Sequence, residues 1–470
     1  MALSACSVNP ATGRNQFTGL LPVEQEAQIG AQEHVKIVRQ MGLYEDDALQ
    51  NYVNVIGQRL AVHTERPDVT YRFFIVDSDM VNAFALPGGY IYVTRGLMAL
   101  ANSEAELAAV IAHEIAHVTA RHSAERYSQG VLTGLGATIL GAAVDNPDAS
   151  RALGVGADLF TKSYSRDQEH EADALGVRYL AQAGYDPYAM SRFLQHLYHY
   201  AQLEEQVSGQ RAPPTFLSTH PATQDRFPRA ASIATNYGIA EGQQAVVNLD
   251  DYLRRINGLS FGSSTREGVI SGQDFLHPDI GFAFTAPEGF EIINRTDEVI
   301  IRGPRAAVAI FDFDSTDQPI EPLTYITRVW MSGERLEMPE RITVNGLNGA
   351  TAAFFGTVNG QPSTIRMVAV EWQPGTFARF QISIPQGVSP NVVQELQRMT
   401  YSFRRLSAED QRALPSDTLK IVTAKSGDTV AGLAAEQPFG RYNEARFRVL
   451  NGLKGNEVLQ AGRIYKIIER

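Results

Sequence analysis

Two histidines and a glutamate within residues 113–117 have the types and spacing that metal-assisted hydrolysis needs. His113 and His117 are four positions apart, so on a helix both imidazoles project from one face, one turn apart. Neutral imidazoles are suitable zinc ligands, and Glu114, about 100° round the helix from His113, can reach a water without ligating the metal. Such a carboxylate is the general base of zinc peptidases. The segment therefore predicts a zinc hydrolase; the alternative is a chance match in a helix whose histidines are merely packed.

The surrounding residues predict a long helix that would present these side chains. Ser103 and Glu106 form a capping-box pair, which marks a helix start. Apolar residues then recur at helical spacing, and neither Pro nor Gly interrupts the pattern before Gly130. We therefore expect one helix of about 25 residues over positions 103–128.

A catalytic zinc site needs a third protein ligand, which has to come from another element. A second capping box at residues 165–168 opens a predicted helix on which Glu169 and Asp173 share one face. One of these carboxylates can ligate zinc while the other accepts the N–H of a ligating imidazole. Glu171 has no acidic partner at the matching position, so we expect Glu169 to ligate and Asp173 to orient an imidazole. A solvated acidic face is the alternative.

Two further histidines need separate treatment. His122 is five positions beyond His117 and faces elsewhere on a continuous helix, so we expect it at the surface. His220 precedes a proline in a loop, where it could stabilise the developing oxyanion during catalysis. It could equally occupy the open zinc position and keep the enzyme latent, or have no role in the site.

A candidate substrate-binding strand precedes the zinc helix. Residues 82–93 predict two short strands joined by a Pro-Gly-Gly turn. A strand beside the zinc helix could bind an extended substrate by edge pairing, through Asn82, Ala83 and Phe84. Alternatively, it is simply the edge of a sheet.

The composition is that of a folded, acidic protein. The chain has 470 residues, 44% of them hydrophobic, and a formal net charge of −11. Nucleic acids and anionic lipid surfaces both require a basic face, so neither is an expected partner. No apolar run is long enough to span a membrane as a helix.

The single cysteine, Cys6, follows Leu3-Ser4-Ala5, and this tetrapeptide looks like a bacterial lipobox. The basic part and most of the apolar part of a signal peptide are missing upstream, where only Met1 and Ala2 lie. Because the only cysteine stands where a lipobox needs it, we expect residues 1–15 to be a lipid-anchor site at Cys6 and a tether, on the periplasmic face of the envelope. An incidental cysteine is the alternative.

At this point the sequence resembles the HtpX/BepA-like zinc endopeptidases, gluzincins that include the type I CAAX prenyl protease. The resemblance covers about residues 8–235 and is carried by motifs at residues 9–14 (NPATGR), 82–89 (NAFALPGG), 113–117 (HEIAH), 165–173 and 218–221 (STHP). It implies a mainly α-helical peptidase domain with a small β-sheet, over residues 16–260. It also implies one zinc ion on His113, His117 and Glu169, with Glu114 as base and Asp173 behind the ligands.

The rest of the chain predicts two smaller domains. Residues 268–406 alternate apolar and polar residues in short runs, which predicts an α+β domain whose opening weakly resembles PsbP/Mog1-like domains. Residues 419–470 look like a LysM module with a β-α-α-β pattern. Such modules bind N-acetylglucosamine polymers, so peptidoglycan is an expected partner; a structural cap without sugar binding is the alternative.

Together these patterns predict a periplasmic, lipid-anchored zinc endopeptidase with several domains. Its expected substrates are misfolded or stalled envelope proteins. A rival interpretation is a chaperone-like or wall-binding protein whose zinc site is structural or latent. A weaker one is a peptidoglycan endopeptidase.

Overall fold

The structure is a computed structural model that divides into two compact units. One unit contains Met1–Gly262 and Ser416–Arg470, and the other contains Ser263–Pro415. No helix in the described part of the chain is long and apolar enough to cross a membrane. The residues that the structure describes are 6–129, 163–208, 216, 219–220, 224–238, 247–262, 268–294, 298–358, 360–413 and 417–470.

The first unit combines a small sheet and a short hairpin with helices. Its helices up to residue 262 are α1 (Val23–Met41), α2 (Asp47–Ala61), α3 (Arg95–Leu100), α4 (Glu104–Thr119), α5 (Arg166–Gln182), α6 (Ala189–Ser208), α7 (Arg226–Thr235) and α8 (Leu249–Arg255). Its strands in the same range are β1 (Cys6–Val8), β2 (Asn15–Phe17), β3 (Arg72–Val76), β4 (Ala83–Leu86) and β5 (Tyr90–Thr94).

The small sheet has the strand order β3-β5-β4, so β4 is an edge strand. β3 runs parallel to β5, and β4 pairs with β5 in antiparallel register from Ala83 opposite Val93 to Leu86 opposite Tyr90. This is the pair of short strands that the sequence predicted. The turn requires glycine at position 88, because its φ is +78° and a Cβ there would lie 2.6 Å from the Ala27 Cα on α1.

The helix that carries the zinc motif is shorter than predicted. It starts where expected, since the Ser103 side chain accepts a hydrogen bond from the Glu106 amide, but α4 ends at Thr119. Arg121 then has a φ of +58°, the left-handed conformation, and the chain becomes helical again over residues 122–129. That conformation costs a non-glycine residue about 1–2 kcal/mol. Buried hydrogen bonds from Arg121 to the Glu26 carboxylate and the Leu21 carbonyl, both 2.7 Å long, offset this strain.

The second unit is built mainly from antiparallel strands. They are β6 (Val269–Ser271), β7 (Asp274–His277), β8 (Phe282–Thr285), β9 (Glu291–Asn294), β10 (Val299–Arg302), β11 (Val308–Ser315), β12 (Glu337–Val344), β13 (Leu347–Val358), β14 (Gln361–Gln373), β15 (Thr376–Pro385) and β16 (Arg404–Arg405). These strands form a seven-stranded sheet of order β12-β13-β14-β15-β11-β10-β9 and a four-stranded sheet of order β16-β8-β7-β6. The helices are α9 (Pro322–Tyr325), α10 (Pro390–Ser402) and α11 (Ala408–Ala413). The predicted multidomain organisation with helices and several sheets is confirmed.

The C-terminal residues belong to the first unit, where a buried lysine anchors them. They form β17 (Thr418–Thr423), α12 (Val430–Ala434), α13 (Asn443–Leu450) and β18 (Ile464–Glu469), with β17 antiparallel to β18. On β18 the fully buried Lys466 Nζ donates to the carbonyls of Ala99, Leu100 and Ala101, at 2.7, 3.0 and 2.8 Å. These carbonyls at the end of α3 lack helical partners, so the ammonium satisfies them. The LysM-like character of residues 419–470 stays a prediction.

Candidate metal centre

Two helices that pack closely side by side present the predicted site residues. α4 carries His113 and His117, and α5 carries Glu169 in its first turn. The Ser165–Gln168 capping box is present with both of its reciprocal hydrogen bonds, so α5 starts where the sequence predicted. Gly176 permits the close approach of the helices, because a Cβ there would lie 3.3 Å from the His113 amide nitrogen and 2.6 Å from the Met190 Cε.

Four side chains of ligand type converge in the interior of the first unit. Their ligand atoms all lie within 4.8 Å of one another, and each residue is at most 1% exposed. Three of them are the residues that the sequence assigned to zinc. The fourth is the histidine for which a zinc-blocking role was one of the alternatives. The cluster consists of His113, His117, Glu169 and His220.

The separations within the cluster are close to those of a tetrahedral zinc site. With zinc–ligand distances of about 2.0–2.2 Å, the donor atoms of a tetrahedral site lie about 3.3–3.6 Å apart. The His113 Nε2 is 3.0 Å from the His117 Nε2 and 3.2 Å from the His220 Nδ1. The Glu169 Oε2 lies 3.5 Å from the His113 Nε2. The Glu169 Oε1 lies 3.4 Å from the His117 Nε2 and 2.9 Å from the His220 Nδ1. Imidazole nitrogens with one carboxylate are ligands that zinc accepts, so the donor set fits the metal, and the five separations lie within about 0.4 Å of the tetrahedral range.

A buried arginine, which the sequence analysis missed, balances the acidic side of the cluster. Arg226, on α7, is 1% exposed and forms ion pairs of 2.7 Å with both Glu169 and Asp173. Asp173 in turn lies 3.0 Å from the Nδ1 of His113, the nitrogen that faces away from the cluster. Asp173 therefore occupies the position at which a carboxylate orients a ligating imidazole. No local pattern in the sequence signals this role, because it depends on the burial of two carboxylates on another helix.

Glu114 lies beside the cluster without belonging to it. The side chain is fully buried, and neither carboxylate oxygen has a hydrogen-bond partner among the described residues. Its Oε1 is 3.5 Å from the His220 Nε2. Burial raises the pKa of Glu114. A buried carboxylate with free lone pairs and a raised pKa has the properties of a general base.

The expectation that His122 lies at the surface is wrong. His122 is fully buried, and its Nδ1 lies 2.9 Å from the Nδ1 of His117. The physical reason is the bend at Arg121, which turns the next residue back toward α4 instead of continuing the helix. Glu171, which the sequence analysis set aside as a zinc ligand, lies outside the cluster. However, its Oε2 is 3.2 Å from the Nε2 of His122.

An aromatic side chain packs against the imidazole ring of His117. The Tyr164 ring stacks on the His117 imidazole with a centroid distance of 3.8 Å and an interplanar angle of 23°. The guanidinium of Arg126 lies over the Tyr164 ring, 3.9 Å from the ring centroid. These contacts restrict the rotation of His117. The sequence analysis did not identify Tyr164, because it lies outside every motif.

The candidate substrate strand β4 packs against α4. Asn82 directly precedes β4, and Ala83 and Phe84 are its first two residues. The Asn82 side-chain oxygen is buried and has no hydrogen-bond partner among the described residues. A buried polar atom of this kind costs free energy unless a further donor reaches it.

The electrostatics of the cluster leave His113 protonated when no metal is bound. Burial holds the pKa of His117 well below its usual value, so this imidazole is neutral. Burial also lowers the pKa of His113, but the Glu169 and Asp173 carboxylates outweigh it and raise that pKa to about 9. Burial raises the pKa of Glu169, but Arg226 and the nearby imidazoles outweigh it and hold that pKa well below its usual value. A metal ion therefore has to displace the proton of His113.

Comparison with known proteins gives matches to a peptidase family. Residues 47–234 match peptidase family M48. The chain is similar to the beta-barrel assembly-enhancing protease of Escherichia coli (strain K12), with 32% identity over 262 residues, 53% of this chain and 52% of that protein. It is also similar to the mitochondrial metalloendopeptidase OMA1 of Schizosaccharomyces pombe, with 32% identity over 179 residues, 37% of this chain and 50% of that protein. The chain spans about half the length of these curated relatives.

We predict that the zinc affinity of this protein rises with pH around neutrality. Because His113 has a pKa of about 9 and must lose its proton to ligate, each pH unit below that value weakens zinc binding by up to about tenfold. Competition with a chelator of known affinity, measured between about pH 6 and pH 8, checks the slope. A zinc affinity that does not change over this range would contradict the prediction.

Proposed function

Because residues 47–234 match peptidase family M48, we propose that this chain is a zinc-dependent metalloendopeptidase that cleaves misfolded or stalled proteins of the bacterial envelope. The observation that carries the proposal is the buried cluster of ligand atoms with the Glu114 carboxylate beside it. Envelope substrates are proposed because the Escherichia coli relative is named for β-barrel assembly.

In this proposal His113, His117 and Glu169 hold the metal. They are the three protein ligands of a catalytic zinc site, in which a fourth position stays open for chemistry. A bound zinc ion would supply Lewis acidity, which polarises a scissile carbonyl and makes a neighbouring water easier to deprotonate. Asp173 and Arg226 hold the ligands from behind: Asp173 orients the His113 ring, and Arg226 keeps the Glu169 carboxyl ionised.

Glu114 acts as the general base. Its unpartnered oxygens can take the proton of the attacking water and then give it to the leaving amine. The pKa raised by burial favours the first transfer, because a carboxylate with a higher pKa takes the proton of the attacking water more readily. Glu114 is one position from His113 and so reaches the site without competing for the metal.

The substrate is proposed to lie along β4 as an added strand. β4 is the edge of its sheet, and an extended peptide can pair with the main chain of such an edge. The buried, unpartnered oxygen of Asn82 would accept a hydrogen bond from the substrate backbone. Recognition through main-chain groups gives little sequence specificity, which suits unfolded substrates.

His220 is proposed to hold the enzyme latent. Its Nδ1 lies 3.2 Å from the His113 Nε2 and 2.9 Å from Glu169, so it occupies the fourth corner of the cluster. Its ring also stacks on Phe216 at 4.5 Å, which stabilises this placement. In this state no corner is left for water. The alternative function, a chaperone-like or wall-binding protein with a latent or structural zinc site, is favoured by the same observation.

Anchoring and wall binding complete the proposal. Cys6, in the lipobox-like Leu3-Ser4-Ala5-Cys6, is proposed to carry a lipid on the periplasmic face of the envelope. Residues 419–470 are proposed to bind peptidoglycan, on the basis of their resemblance to LysM modules. The domain boundaries 1–15, 16–260, 268–406 and 419–470 are proposed with them.

We predict that Glu114→Gln abolishes proteolysis without releasing the metal. Loss of a general base lowers turnover by about 10²–10⁴-fold, whereas the metal ligands are unchanged. The measurement is cleavage of an unfolded protein such as casein, together with the zinc content per chain. As a control, a chelator should remove the wild-type activity and added zinc should restore it. Undiminished cleavage by the variant would contradict the mechanism. A wild-type protein that binds zinc but never cleaves would favour the chaperone-like alternative.

We predict that His220→Ala increases proteolysis, because it frees the fourth corner of the site. A site that is blocked in about nine-tenths of the molecules would gain about tenfold in activity. The same casein assay at equal zinc content measures the effect. A fall in turnover with unchanged zinc binding would contradict latency and favour the oxyanion role of this histidine.

A further inference from the structure

We infer that the N-terminal loop of residues 9–14 is part of the metal site, because it positions the ligand His117 through a relay formed by His122 and Glu171. The inference rests on the proposed metal site and adds positioning residues to it. These residues lie in three separate parts of the chain. The relay assigns a role to the NPATGR loop, which the proposed catalytic machinery does not use.

The first link joins the two histidines. The Nε2 of His117 faces the cluster, 3.0 Å from the His113 Nε2, while its Nδ1 lies 2.9 Å from the Nδ1 of His122. A neutral imidazole that ligates through Nε2 carries its proton on Nδ1. His117 therefore donates this hydrogen bond, and the His122 Nδ1 accepts it.

The second link follows from the tautomer of His122. An imidazole that accepts at Nδ1 carries its own proton on Nε2. The Nε2 of His122 lies 3.2 Å from the Glu171 Oε2, so His122 donates and the carboxylate accepts. In both hydrogen bonds the donor is then the residue nearer the metal, and the acceptor is the residue nearer the Glu171 carboxylate. This order holds the His117 Nε2 lone pair toward the metal.

The third link is the N-terminal loop, which supplies donors to Glu171. The Asn9 Nδ2 and the Thr12 hydroxyl donate to Glu171 Oε1 at 2.8 and 2.5 Å, and the Arg14 guanidinium lies 3.4 Å from Oε2. All three groups are donors, so together they orient and retain the carboxylate that ends the relay.

The loop itself is folded to aim these donors. The Asn9 side-chain oxygen accepts hydrogen bonds from the main-chain N–H groups of Ala11 and Thr12, and the main-chain N–H of Asn9 donates to the Arg14 carbonyl. Gly13 closes the turn with a φ of +74°. Asn9 is only 1% exposed, although it lies close to the start of the described chain.

The two ligating histidines are thus oriented in different ways. His113 has a carboxylate directly behind it, since its Nδ1 lies 3.0 Å from Asp173. His117 reaches its carboxylate only through His122, which the bend at Arg121 places between them. Partners of this kind set the orientation and basicity of a metal ligand, and their loss weakens metal binding by about 10–100-fold.

The experiment measures zinc affinity rather than proteolysis. Chelator competition on the full chain compares the wild type with His122→Phe, which keeps a ring but no nitrogen, and with Glu171→Gln. We expect zinc affinity to fall at least about tenfold in both variants. We also expect the visible spectrum of the cobalt(II)-loaded protein to change, because the orientation of His117 changes with it.

The matched control is His170→Phe. His170 is the neighbour of Glu171 on α5, but its Nε2 lies 3.0 Å from the Asp225 carboxylate, and it is not one of the four residues of the cluster. This variant should bind zinc as the wild type does and give an unchanged cobalt spectrum. Thr12→Val is the test that disturbs the fold least, since Thr12 is exposed; it should weaken zinc binding in the same direction as Glu171→Gln, but less.

The inference would be overturned if zinc affinity and the cobalt spectrum were unchanged both in Thr12→Val and in one of the two relay variants, His122→Phe or Glu171→Gln. That result would leave the proposed function intact. Equal losses in His170→Phe and His122→Phe would overturn it too, because the effect would then be general destabilisation. A wild-type chain that binds no zinc would overturn both the relay and the proposed peptidase.

Discussion

Three buried carboxylates (Glu114, Glu169 and Asp173) and three buried imidazoles share a site that has almost no contact with water, and the structure depends on how their charges are compensated. Each isolated charge in such a place would cost several kcal/mol. Arg226 supplies the main compensation, because it forms ion pairs with both Glu169 and Asp173. The helix α7 that carries it is therefore tied to the site by charge. A metal ion would add positive charge at the same place and release the proton of His113.

The surrounding fold supports this compensated cluster from several sides. Gly176 lets α5 approach α4 closely enough for Glu169 to meet the two histidines. The bend at Arg121 ends α4 and turns His122 inward, and the side chain of Arg121 secures that bend against Glu26 on α1. The first unit also includes the C-terminal residues, anchored through Lys466 at the end of α3. The site is thus a product of tertiary packing among α1, α4, α5 and α7.

Patterns within one or two helical turns predicted the parts of the site that depend on local geometry. The four-residue spacings of the histidines on α4 and of the acids on α5 placed each pair on one face, and the Ser165 capping box marked the start of α5. His122 was misplaced because the break at Arg121 depends on distant contacts, and a non-glycine residue in the left-handed conformation leaves no local signal. Arg226 and Tyr164 were missed for a related reason: their roles arise from charge balance and ring stacking between separate elements.

The central claim is that His113, His117 and Glu169 bind one and the same metal ion. Anomalous diffraction at the zinc absorption edge, from crystals of the zinc-loaded protein, tests it most directly. The account predicts one strong peak per chain, about 2.0–2.2 Å from the Nε2 atoms of both histidines and from a Glu169 oxygen. A peak bound by other residues, or a zinc-loaded structure in which Glu169 lies away from the two histidines, would contradict it.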